Sequence, residues 1–213
     1  VVDSTMNNNP NDLVALWLHR SDGYECEWSD WRKWNFYNYG YIPYTVIDAS
    51  IVTSTGMFQT HIDQRLAVPT DVTIELGATM VDTSTYVATA NVCVEPTGAV
   101  TAMNLHFFNV LDHWPTSPTY YRNCVREGYR MGTITVGPGS CIGVQQQIVF
   151  DGDSLANSTD IKIAAMVEEP VAVAMGEVYQ AAIINWPLAS TGHPVFSSAF
   201  ENGTLGGWSA AAP

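Results

Sequence analysis

The sequence predicts an α+β chain: a helix-containing N-terminal portion followed by an antiparallel β-sandwich. Three observations predict it. From Asp71 onward the apolar period changes from helical to two. Turn formers then punctuate the chain at Pro96-Thr97-Gly98, Gly137-Pro138-Gly139 and Asp151-Gly152-Asp153. Ahead of a boundary near Ala67 to Thr70, an aromatic helix-like run instead passes through Gly40 and Pro43 into a β-branched strand.

Taken in order, residues 1–12 are polar and Asn-rich and predict an arm or loop. Leu13 to Leu18 is a continuous apolar run, the pattern of a strand buried on both faces. Ser29 suits the N-cap of a helix from Asp30, whose apolar faces come from Trp31, Trp34 and Phe36 to Tyr39. Gly40 stops that helix, and Pro43 pushes Ile42 towards an extended conformation. Tyr44 to Ile47 then predicts a strand, with Ile51 to Thr53 a second short candidate. Met57, Phe58, Ile62 and Leu66 fall near helical spacing, and Pro69 ends that helix. Residues 13–68 therefore form one unit and 69–188 the sandwich.

Seven strands are expected in the sandwich: Val72 to Leu76, Tyr86 to Val94, Met103 to Val110, Thr133 to Val136, Cys141 to Phe150, Ile161 to Val167 and Val178 to Ile184. The clearest is Cys141 to Phe150. Ile142, Val144, Ile148 and Phe150 face one way, with Gln146 the exception, while Gln145 and Gln147 face the other. Trp114 to Arg130 reads as a long connection carrying Cys124. Residues 189–213 are small, polar and Gly-rich, a tail or a donated strand, with Phe196, Phe200 and Trp208 as isolated aromatics suited to an assembly contact.

Composition narrows the function. The chain has 213 residues, 46% hydrophobic and 14% charged, with a net charge of −13. It can bury a large core, and it lacks the clustered Lys and Arg that phosphate binding needs, which excludes a nucleic-acid partner. Lysine occurs only at 33 and 162, and Thr and Asn are abundant, a pattern that fits a secreted bacterial protein. No apolar run reaches membrane-spanning length, and no signal peptide is visible at Val1, as expected of a mature secreted form or a fragment. Four cysteines at 26, 93, 124 and 141 fit neither a zinc site nor a redox pair. Two structural disulfides are the leading expectation, with buried free thiols the alternative. Cys124 and Cys141 are expected to bridge, tying the long connection to the sandwich, with Cys26 paired to Cys93 or left free.

No chemistry-bearing motif stands out. The five histidines never fall at local metal-ligand spacing, and His106, inside an apolar strand, reads as a hydrogen-bonded sheet histidine. Asp151 and Asp153 are a weak calcium candidate; a solvated turn between strands is the better reading. Asn157 and Asn202 head glycosylation sequons. Cys26 lies near an aromatic helix as a candidate reactive thiol. Trp28, Trp31 and Trp34 read as core, while Tyr37, Tyr39, Tyr41 and Tyr44 stay open as a binding surface. No cofactor is implied.

The stretch Tyr37 to Asp48 resembles the segment before the cis-proline of thioredoxin-fold proteins. Together with Val68 to Ile74, Tyr121 to Tyr129, Val149 to Val167 and Gly176 to Ala182, it resembles a family of secreted, outer-membrane-associated bacterial proteins with a thioredoxin-like half and a C-terminal β-sandwich. The resemblance implies a cis Ile42-Pro43 bond. The family's Cys-x-x-Cys is absent, and the thioredoxin-like half is incomplete. Phe200 to Trp208 is similar to the opening strand of secreted jelly-roll modules. The expectation that follows is a non-enzymatic extracellular or cell-surface structural protein, a homopolymer subunit linked by exchanged terminal segments. The alternatives are a portion of a secreted thiol-disulfide oxidoreductase, or a carbohydrate- or peptide-binding surface module.

Overall fold

The computed structural model describes residues 2–10, 12–19, 23–37, 45–53, 55–115, 120–171 and 176–188. Ile42, Pro43, Tyr39, Tyr41, Tyr44, Phe196, Phe200, Asn202 and Trp208 lie outside the described residues. Seven antiparallel strands make two facing sheets. The first is ordered β3 (Val72–Met80), β4 (Thr85–Val94), β7 (Cys141–Val149). The second is ordered β6 (Cys124–Thr135), β5 (Ala102–Leu111), β8 (Ile161–Glu168), β9 (Val178–Asn185). The chain is thus mostly antiparallel sheet with a few short helices.

Alternation builds the core. Val72, Ile74 and Leu76 of β3 and Ala88, Ala90 and Val92 of β4 meet Leu105, Phe107, Ile163, Ala165 and Val167 of the facing sheet, all buried. The predicted turns close as their residues require. The Gly98 N–H donates to Glu95 O at 2.9 Å and closes Pro96-Thr97-Gly98. Gly139 takes φ +71° ahead of β7, a conformation costly for side-chain-bearing residues. Asp151 caps α4 (Gly152–Ala156) by accepting from the Ser154 N–H at 2.7 Å.

Unlike the first sheet, the four-stranded sheet has a second apolar face. Phe108 and Val110 of β5, Val125 of β6 and Ala164 of β8 point away from the core. The N-terminal segment covers them with Val14, Leu16 and Leu18, then with Cys26, Trp28 and Trp31 of α2 (Glu27–Trp31). A π-helical turn, Arg32–Tyr37, continues α2. Next come the hairpin β1 (Thr45–Ile47) and β2 (Ile51–Thr53), a 3₁₀ turn, and α3 (Phe58–Leu66).

Several expectations need correction. Residues 2–8 are not a loop but helix α1 (Val2–Asn8), tied down where Tyr120 donates to Asp3 and Asn9 donates to Gln59 of α3. Leu13 to Leu18 is not a strand buried on both faces. It is a half-buried extended segment, bridged in parallel at Trp17 to Cys124. Sheet pairing in the 13–68 unit, among the described residues, is confined to the β1–β2 hairpin. Ser29 is not the N-cap; the helix starts three residues earlier, and the Ser29 hydroxyl accepts from the Cys26 N–H. The last part of Trp114 to Arg130 is not a connection, because β6 begins at Cys124. The Cys124–Cys141 bridge is also wrong. Cys93 bonds Cys141 at 2.07 Å because β4 and β7 place these two residues directly opposite each other. Cys124 lies buried at the start of β6.

Candidate functional site

A buried polar array and the cleft above it make the most organised site. Trp28 reaches both. It packs closely on β6 because β6 has glycine at 128; a Cβ there would sit 2.3 Å from Trp28 Cγ. The indole N–H donates to His106 Nδ1 at 3.2 Å. Accepting through Nδ1 leaves the imidazole hydrogen on Nε2, which donates to Glu168 Oε1 at 3.0 Å. Arg32 closes the array as a fork: Nη1 donates to Oε1 at 2.7 Å and Nη2 to Oε2 at 2.5 Å. The π-helical turn lays the guanidinium over Phe36, 3.7 Å from the ring centre.

The electrostatics follow from burial. The side chains of Arg32 and Glu168 are 0% exposed and that of His106 is 3%. Burial alone pushes the Glu168 carboxyl up; the hydrogen bonds from His106 and Arg32, with the charge of Arg32, outweigh it and hold the carboxyl below its usual range. Every oxygen of Glu168 is turned to an internal donor. The array can join α2 and its π turn to β5 and β8; it presents no group to a solvent-borne substrate.

Above it, a cleft of about 410 Å³ is lined by Trp28, Glu127, Tyr129, Arg130, Met131 and Gln146, between the edges of β6 and β7. Arg130 lies over Trp31, 4.4 Å from its ring centre. Cys26 is buried at the head of α2, and burial pushes its thiol up despite hydrogen bonds from Ser29. A buried, protonated thiol is a poor nucleophile, which corrects the reading of Cys26 as reactive.

A second array pins the chain elsewhere. Asp112 accepts from Arg122 Nε at 2.8 Å, Lys162 Nζ at 2.7 Å and the Asn123 N–H at 3.0 Å. Burial opposes ionisation there too, yet Arg122 and Lys162 hold the carboxyl well below the carboxylate range. Asn123 in turn donates to Ala15 O, fastening the N-terminal segment.

The other sequence-derived candidates are scattered. Between Asp151 and Asp153 sits the Arg126 guanidinium, at 2.7 and 3.2 Å. A fixed cation already occupies the place a calcium ion would take, so that candidate is corrected to a capped, ion-paired turn. Asn157 is half-buried and donates to Asp153 O. Trp28 is core, but Trp34 is 48% exposed, against the core reading for it. His106 is the hydrogen-bonded sheet histidine its strand suggests. The sequence reads Trp28 only as core and gives no role to Arg32 or Glu168. The available signals were a rare arginine inside an aromatic helix and a glutamate closing an apolar strand; a separation of 136 residues hid their pairing.

No family model matches the chain, and no curated protein matches it. Among solved structures, it is similar to HBP35 of Porphyromonas gingivalis, with 13% identity, a TM-score of 0.47, and coverage of 57% of this chain and 42% of that one. It is also similar to beta-glucosidase from Kluyveromyces marxianus, seen in two structures, one in complex with glucose. These share 8% and 9% identity at a TM-score of 0.31, over 55% of this chain and 14% of theirs. The chain therefore spans less than half of each, and likenesses this distant assign no activity.

Proposed function

We propose that the chain is a non-catalytic extracellular structural subunit that assembles with copies of itself through terminal segments. The observation that supports this best is the inward orientation of the buried array: Arg32, His106 and Glu168 bond one another and bind element to element. The Cys93–Cys141 disulfide, whose second half is exposed, supports an oxidising compartment. Among the described residues, no helix is long and apolar enough to cross a membrane. The thioredoxin-like identity of residues 13–68 belongs to the same proposal and rests on the order of helix, Ile42-Pro43 and strand. The buried Cys26 weighs against a thiol-disulfide oxidoreductase.

Light scattering and electron microscopy across a concentration series, under oxidising conditions, test the proposal. Particles many times the mass of one chain are expected. A monomer at every concentration overturns it.

A further inference from the structure

We propose that the outer edge of β7 accepts residues 194–200 of a neighbouring copy as an added strand. This rests on the self-assembly reading above and assigns the surface that performs it. The sandwich has four sheet edges. Those of β3 and β9 lie against each other, with Gln180 Nε2 donating to Val72 O at 3.5 Å. The start of β9 is further held by the Val178 N–H donating to Asp48 O and by Arg65 between Asp48 and Glu177. The edge of β6 carries Arg126, Glu127 and Arg130, shifts register twice against β5, and meets Trp17 at its start. Among the described residues, β7 has none of these devices, apart from its last residue, where the Tyr129 hydroxyl takes the Val149 N–H. Its sequence, Cys-Ile-Gly-Val-Gln-Gln-Gln-Ile-Val, lacks charge and proline, and it pairs with β4 without a register shift. Natural edges are normally blunted by such devices.

The direction of its free hydrogen-bonding groups is fixed by the ladder. The Val94 N–H donates to Ser140 O and the Phe150 N–H donates to Ser84 O, at the two ends of the β4–β7 pairing. Even-numbered residues of β7 therefore bond β4, and the backbone groups of Gly143, Gln145, Gln147 and Val149 face outward. The Tyr129 hydroxyl bonds the Val149 N–H from the β6 side, as this parity requires. Gly143, Gln145 and Gln147 are all exposed. The cleft of about 410 Å³ adjoins this edge, with Trp28, Tyr129 and Met131 in its lining.

Residues 194–200, Pro-Val-Phe-Ser-Ser-Ala-Phe, carry no charge, and Phe196, Ser198 and Phe200 share one parity. Strand addition bonds the backbone and sends alternate side chains into pockets. Laid on β7 in the register that turns this parity inward, the segment offers both phenylalanines to the cleft. The donor is a neighbouring copy on the self-assembly reading above, and addition of the segment to its own β7 is the outcome that overturns it.

The test uses the intact chain and two variants, Gln145→Pro and Gln147→Pro. Each removes an N–H that faces away from β4, so the sandwich folds, as unfolding midpoint and circular dichroism verify. Assembly is expected to fail in both, and in a Gln145→Lys, Gln147→Lys double variant that keeps the backbone. In wild-type assemblies, amide exchange at Gly143, Gln145 and Gln147 is expected to slow by about tenfold or more relative to the monomer. If folded variants assemble as wild type does, or protection falls on another strand, the β7 assignment is wrong while self-assembly stands. A wild-type chain that never assembles overturns both. Monomers already protected at these amides overturn donation between copies.

Discussion

A carboxylate sealed from water needs its donors inside the protein, and Glu168 has three of them. Removing one partner of a buried ion pair leaves the other charge stranded, at about 3–5 kcal/mol. Glu168→Gln strands Arg32, whose side chain is fully buried, and a urea titration is expected to show a loss of about that size. Replacing both, Arg32→Met with Glu168→Leu, removes the charge together with its counter-charge, and is expected to recover most of the loss. A double variant no more stable than the single one would show that the pair is not coupled. Gly128 acts by having no side chain. Gly128→Ala puts a Cβ 2.3 Å from Trp28 Cγ, so the indole must move off the sheet and off His106. The expected cost is about 1–3 kcal/mol, with a red shift in tryptophan emission that a change confined to β6 would not produce.

Elements were legible where one face is buried and the other wet. All seven sandwich strands overlap expected ones, most clearly where burial alternates, as in β4 and β7. β6 was seen only from Thr133 because its opening residues bury both faces and its middle is half-exposed and bulged, which erases a period of two. Helix α1 has an Asn-rich sequence of poor intrinsic propensity and is held by tertiary contacts from Tyr120 and Gln59. Leu13 to Leu18 is apolar because it roofs the outer sheet face, and composition cannot distinguish a roof from a central strand. The Cys93–Cys141 pair depended on the β4–β7 register, which no spacing reveals. That bond closes a loop of sequence separation 48, so Cys93→Ala with Cys141→Ala is expected to cost about 4 kcal/mol in the chain-entropy model. The Asp112 array joins the ends of β5 and β8 to the N-terminal segment through ionised groups. Its folded carboxyl titrates below the unfolded one, so its stabilisation is full above the ordinary carboxylate range and is lost as pH falls through the folded value. Glu168 shifts the same way. Acid unfolding is therefore expected below about pH 4, and Asp112→Asn should weaken its pH dependence there. An unchanged acid limb in Asp112→Asn would remove this assignment.

At the scale of the whole molecule, the fold separates what stabilises the subunit from what is proposed to join subunits. Among the described residues, the inner core, the outer apolar face and both polar arrays end at or before Leu188, which is itself fully buried in the core. Trp186 packs edge-on against Tyr86, 6.2 Å between ring centres, and closes that end of the sandwich. A chain cut within β9 loses these contacts and exposes Ile184 and Leu188 sites, so it is expected to unfold. A chain cut after His193 keeps all of them. Deleting residues 194–213 is therefore expected to leave the unfolding midpoint within about 0.5 kcal/mol of the intact chain's monomer, the range of changes that touch no packed group. The same deletion is expected to abolish assembly, because it removes the donated strand and leaves the acceptor edge vacant. Denaturant unfolding and sedimentation of one preparation read the two consequences separately. A truncated chain that unfolds early shows that the tail belongs to its own subunit's core. One that remains folded and still assembles shows that copies meet through a surface other than the tail.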